Sequence, residues 1–151
     1  MNTIVRLDKV KSTAHLVNIV SVTALENGAV VALGDLLADG EGYKVAAPTN
    51  LATDRLVFHA SVPMGYDEMQ FEEDYSLAIG EMGRAYFLEA GDIVTISDDG
   101  FTSAPTLKDL VGAQVGSTKL AVSEAPEGKV QFVAIAKEFL SGRLSTVLEV
   151  L

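Results

Sequence analysis

The amino-acid sequence predicts a mainly β protein, a compact β-barrel or sandwich built from hairpins, with at most one or two short helical turns. Three observations lead there. Short runs alternate their side chains with the period of two that a strand imposes. Turn signals made of Gly, Pro, Asn and Asp recur about every 10 to 15 residues. Thirteen glycines, few aromatics and many Val, Ile and Thr favour strands and turns over long helices. A chain of 151 residues fits one β-rich domain, 1–151, and can bury a real core.

The clearest local structure is the stretch Gly83 to Gly100. Arg84 to Leu88 and Ile93 to Ser97 both favour extended backbone, and Glu89-Ala90-Gly91-Asp92 between them is a turn. The expectation is a β-hairpin, stopped by Asp98-Asp99-Gly100. Upstream, Met1 to Arg6 alternates as a first edge strand or an extended N-terminal arm. Leu16 to Val22 reads as a strand, Asn27-Gly28 as a hairpin turn, and Ala29 to Leu33 as the partner strand. Tyr43 to Ala47 is a short strand closed by Pro48, and Leu56 to Val62 is another, stopped by Pro63.

Gly65 to Gly83 is the least regular stretch, and its length and acidity suit a binding loop. Thr106 to Gly112 predicts a single helical turn with Thr106 as its cap. Lys119 to Ser123, Val130 to Phe139 and Arg143 to Leu151 complete the strands. The expected core is Val17, Ile19, Val31, Leu56, Phe58, Phe87, Ile93, Ile96, Val133, Ile135 and Val147.

Composition narrows the function. A formal net charge of −10 repels phosphate, so no nucleic-acid partner is expected. No run approaches the roughly 20 apolar residues of a membrane span, and the N-terminus lacks the pattern of a secretion signal. The absence of cysteine excludes disulfides, thiolate metal sites and cysteine nucleophiles. His15 and His59 share no ligand spacing, so no metal is expected. The acidic run Asp67, Glu68, Glu72, Glu73 and Asp74 matches no calcium loop and reads as a solvated or protein-contacting surface. No serine sits in a nucleophile elbow and no glycines form a phosphate loop. Neither a catalytic residue nor a cofactor is expected.

The order of short segments carries a resemblance. Val5-Arg-Leu-Asp-Lys9, Val45-Ala-Ala-Pro-Thr49, Leu56-Val-Phe-His-Ala60, Gly65-Tyr-Asp-Glu68 and Ala85-Tyr-Phe-Leu-Glu-Ala-Gly-Asp-Ile93 follow one another. This succession resembles the capsid decoration, or cement, proteins of tailed bacteriophages. The similarity covers most of the chain and is strongest from Val45 to Thr95, while the C-terminal third carries little of it. It implies a structural virion protein, made in the host cytoplasm and placed on the capsid surface. Such a protein binds the major capsid protein on the outside of the shell, often as a homotrimer, and has no enzymatic activity. The family has no site motif to carry over residue by residue.

Candidate partner contacts are therefore the N-terminal Asn2, Thr3, Ile4 and Val5, which in an arm would add a strand to a neighbour. Tyr66, Asp67, Glu68, Glu72 and Glu73 of the acidic loop join them. The alternatives are a carbohydrate- or ion-binding β-module using the tyrosine-containing loop 65–75, and a hydrolase using its carboxylates.

Overall fold

A computed structural model of the protein describes residues 3–10, 15–38, 40–60, 76–128, 130–140 and 142–151. The chain builds two β units. Five strands close a barrel: β2 (His15–Ser21), β3 (Val30–Leu36), β4 (Tyr43–Ala46), β5 (Leu56–His59) and β6 (Met82–Phe87). Their order is β2-β4-β3-β5-β6, closed by β6 pairing with β2. The β2–β4 pair is parallel, with Ile19 opposite Tyr43, and every other pair of the barrel is antiparallel.

The remaining strands are β1 (Val5–Lys9), β7 (Ile93–Ser97), β8 (Leu110–Gln114), β9 (Ser117–Val122), β10 (Gln131–Leu140) and β11 (Arg143–Val150). They form an antiparallel sheet in the order β1-β7-β11-β10-β8-β9. The helical content among the described residues is one 3-10 turn, Asp98–Gly100. The mainly β class predicted from sequence holds, in the form of a closed barrel beside an open sheet.

Two apolar clusters hold these units. One fills the barrel and contains Val17, Ile19, Leu25, Val31, Val45, Val57, Leu77 and Ala85. The other is shared. Val30, Leu56 and Phe58 from the outer face of β3 and β5 meet Val94, Ile96, Val111, Leu120, Phe132, Leu148 and Val150 of the sheet. Phe58 and Phe132 are both fully buried there and stack edge to face with ring centroids 6.5 Å apart. Alternation makes this arrangement available. Val57 points into the barrel while its neighbours Leu56 and Phe58 point out of it, so β5 is buried on both faces.

Several expected elements are assembled differently. The runs around Glu89 to Asp92 do not pair with each other: β6 pairs with β2 and β5, and β7 pairs with β1 and β11. The turn itself is present. Gly91 has φ +93°, Asp92 N–H donates to the Glu89 carbonyl at 3.1 Å, and Gly91 N–H donates to the Val150 carbonyl at 2.9 Å. It carries the chain from the barrel into the sheet. The burial patterns explain the separation. β6 buries alternate residues over Met82 to Ala85, as a barrel wall does, whereas Val94 to Ser97 are buried on both faces, on a strand that lies inside the sheet between β1 and β11.

The Asn27-Gly28 turn likewise joins strands that are not neighbours, since β2 lies between β4 and β6 and β3 lies between β4 and β5. Gly28 takes φ +86° and donates its N–H to the His59 carbonyl at 2.8 Å. Tight hairpins occur instead at β8–β9, around Val115-Gly116, and at β10–β11. The helical turn expected from Thr106 is a non-helical turn. Thr106 N–H and Oγ1 donate to Asp109 Oδ2, Lys108 takes φ +71°, and Leu110 already enters β8.

Of the expected core, Val17, Ile19, Val31, Leu56, Phe58, Ile96 and Val147 are buried, while Phe87, Ile93 and Val133 are half-buried. Ile135 is exposed at 43%. In β10 the inward set is Phe132 and Ala134, and the register shifts between Ala134 and Ala136, which leaves Ile135 at a bulge.

Candidate functional site

The N-terminal candidates are tied to their own chain. Thr3 and Ile4 are buried. Thr3 N–H and Oγ1 donate to Glu26 Oε2 at 3.3 and 3.0 Å. Ile4 N–H donates to Ser97 Oγ at 2.9 Å, and its carbonyl accepts from Ser97 N–H at 2.9 Å. Val5 pairs with Ile96 as β1 begins. From Thr3 onward this segment is the edge of the chain's own sheet, so the free-arm alternative is corrected: a strand anchored by two buried residues cannot swing to a neighbour without unpicking its own core. Asn2, Tyr66, Asp67, Glu68, Glu72 and Glu73, and the side chain of His15, lie outside the described residues.

Glu26 and His59 meet at the seam between barrel and sheet. His59 is fully buried and its Nδ1 lies 2.8 Å from the Glu26 carbonyl oxygen. Burial lowers its pKa, and the bond to the Glu26 carbonyl opposes that only in part. The imidazole is therefore neutral at pH 7, and its role is to pin the 26–28 turn. In front of it a cleft of about 210 Å³ is lined by Thr3, Glu26, Asn27, Gly28, Thr118 and Lys119, among others. Its carboxylate is occupied by Thr3, so the cleft offers no free acid–base pair. Among the described residues no group of three His, Asp or Glu side chains is placed to hold a metal.

The β10–β11 hairpin stands out. β8 pairs with β10 from Gln131 to Val133, and β7 pairs with β11 only from Ser145 onward. Phe139, Leu140, Arg143 and Leu144 therefore run past both neighbouring strands. At this tip Phe139 lies directly opposite Leu144, and the two are 71% and 46% exposed.

A polar network fixes the base of the hairpin. Lys137 Nζ donates to Asp98 Oδ1 and Oδ2 at 2.9 and 3.0 Å, to Thr146 Oγ1 at 2.7 Å and to the Pro105 carbonyl at 3.2 Å. Thr146 Oγ1 donates to Asp98 Oδ1 at 2.9 Å. Arg143 pairs with Asp99, and Arg6 with Asp8 and Glu138. An apolar pair held on a braced projection loses little freedom when a partner covers it, which is how an interface anchor works. Sequence reasoning missed this site. The signal available was an aromatic residue two positions before the Ser141-Gly142 turn, which reads equally well as a core position.

No protein-family profile, curated protein or solved structure matches the chain.

Proposed function

We propose that this protein is a structural virion component that binds the outside of a tailed-phage capsid and stabilises the shell, without catalysis of its own. The observation that carries the proposal is the β10–β11 tip, where Phe139 and Leu144 sit side by side and exposed on a hairpin braced by Asp98, Asp99, Lys137 and Arg143. Such a knob suits an apolar pocket on the major capsid protein. The resemblance from Val45 to Thr95 and the acidic, cysteine-free composition agree with the same role. Assembly into trimers at three-fold positions of the shell belongs to the proposal.

The test compares wild type with Phe139→Ser/Leu144→Ser for co-sedimentation with purified expanded shells. Loss of about tenfold or more in affinity, with an unchanged melting temperature, is the expected result. Shells that bind the double variant as well as wild type would remove the hairpin tip from the interface.

A further inference from the structure

We propose that Asn27-Gly28 is a self-modification site, closed in the folded protein by a clasp from His59 and reactive when the seam between barrel and sheet opens. The inference is independent of the hairpin tip and of any shell.

The chemistry follows from the dipeptide. The Gly28 backbone nitrogen can attack Cγ of the Asn27 side chain. A nitrogen–carbon bond forms, the side-chain amide bond breaks, and the side-chain nitrogen leaves as ammonia with the proton that Gly28 gives up. The product is a five-membered succinimide. Water then opens it at either carbonyl and leaves aspartate or isoaspartate at position 27. Glycine in second place favours the reaction, because it has no side chain to hinder the approach and its backbone is the least restricted. The other asparagines precede Thr3, Ile19 and Leu51, so this is the one Asn-Gly pair in the chain.

The fold holds both reacting groups still. Asn27 is 6% exposed and Gly28 is buried. Gly28 N–H donates to the His59 carbonyl at 2.8 Å, so the nitrogen that would attack is engaged. His59 grips the same turn at two further points. Its N–H donates to the Ala29 carbonyl at 2.8 Å, and its Nδ1 donates to the Glu26 carbonyl at 2.8 Å, since a carbonyl can only accept. From the other side, methyl groups of Thr3, Val5 and Ile96 lie 3.2, 3.2 and 3.3 Å from where a Cβ on Gly28 would sit. Ring closure swings the peptide between residues 27 and 28 toward the Asn27 side chain, which breaks the Gly28 bond and pushes against this roof.

The gate is local. The roof is the start of the edge strand β1, held at Thr3 by two bonds to Glu26. Edges and turns open at lower free energy than a shared core. The cleft lined by Thr3, Glu26, Asn27 and Gly28 leads solvent to the same place. Refolding does not undo the reaction. Either product sets a carboxylate at a buried position next to Glu26, and isoaspartate also adds a methylene to the backbone inside the clasp. Time spent open is therefore recorded in the chain.

The measurement is peptide mapping by mass spectrometry, with isoaspartate detected by methyltransferase labelling, on the full chain aged in native buffer and in urea at one pH and temperature. In urea Asn27 should convert faster than Asn18 and Asn50, and folding should slow its conversion about tenfold or more. His59→Gln should speed conversion in native buffer several-fold. So should the milder Thr3→Val, which keeps a methyl against Gly28 and removes the hydroxyl donated to Glu26. Lys137→Met, outside the clasp, should leave the rate near wild type, and the modified fraction should melt below the unmodified one. Equal conversion in native buffer and urea, or no preference for Asn27 in urea, would overturn the inference. Unchanged conversion in both His59→Gln and Thr3→Val would do the same. Acceleration by Lys137→Met equal to that by His59→Gln would show that global unfolding exposes the site, and would refute the clasp. A modified fraction that melts with the unmodified one would show that the turn tolerates the change.

Discussion

Replacing Phe58 with alanine removes the side chain that joins the barrel to the sheet. Phe58 is fully buried and meets the fully buried Phe132 edge to face across the shared core. Truncation of a buried phenylalanine costs about 3–5 kcal/mol, which is a large part of the roughly 5–15 kcal/mol that stabilises a typical domain. A gentler cycle with Phe58→Leu, Phe132→Leu and the double variant isolates the ring–ring contribution, expected at about 0.5–1.5 kcal/mol. The chain provides separate reporters for its two units. Amide exchange at Ile19 and Val57 follows the barrel. Amide exchange at Val94 and Leu148 follows the sheet. Because one core serves both, Phe58→Ala should lower the stability seen by both reporters to the same extent in urea. A barrel transition that shifts while the sheet amides keep their protection would refute the shared-core argument.

Acid should act through His59. Its folded pKa lies below the ordinary histidine value of about 6.5, so the unfolded chain takes up the proton first. Stability is then full above that pH and falls as the pH drops below it, by at most about 1.4 kcal/mol per pH unit for one proton. His59→Gln should flatten the curve below about pH 6.5 in thermal melts, and an unchanged slope would show that other groups set it. Lys137→Met strands Asp98 beside Thr146 and should cost about 2 kcal/mol, the scale of hydrogen bonds to charged groups; a variant as stable as wild type would show the network to be dispensable. Gly100→Ala places a Cβ 2.7 Å from Ile96 Cγ2 and 2.9 Å from Thr3 Cγ2. Overpacking of this kind costs about 1–3 kcal/mol, and a neutral result in denaturant unfolding would show that the edge strand yields easily.

The class of fold was legible because strand periodicity and turn residues are local properties. Most strands appear within a few residues of where alternation places them, including Leu56 onward and Arg143 onward. Pairing was not legible. Glu89 to Asp92 and Asn27-Gly28 both reverse or redirect the chain as their glycines predict, yet each joins strands that are not neighbours. A turn fixes direction, whereas the partner is chosen by which faces find cover, as Val94 to Ser97 illustrate. The error at Ile135 has a related origin: alternation allows either parity to face inward, and here Phe132 and Ala134 take the core side while Val133 and Ile135 fall on the other. Phe139 and Leu144 were invisible as a surface pair because their exposure depends on where β7 and β8 stop alongside them.

The most direct measurement of the structural role is saturation binding of the purified protein to expanded and unexpanded tailed-phage shells, followed by heating of the decorated particles. The account predicts stoichiometric, saturable binding to expanded shells and greater resistance of those shells to heat. A correctly folded protein that binds neither form, and leaves their melting unchanged, would contradict it.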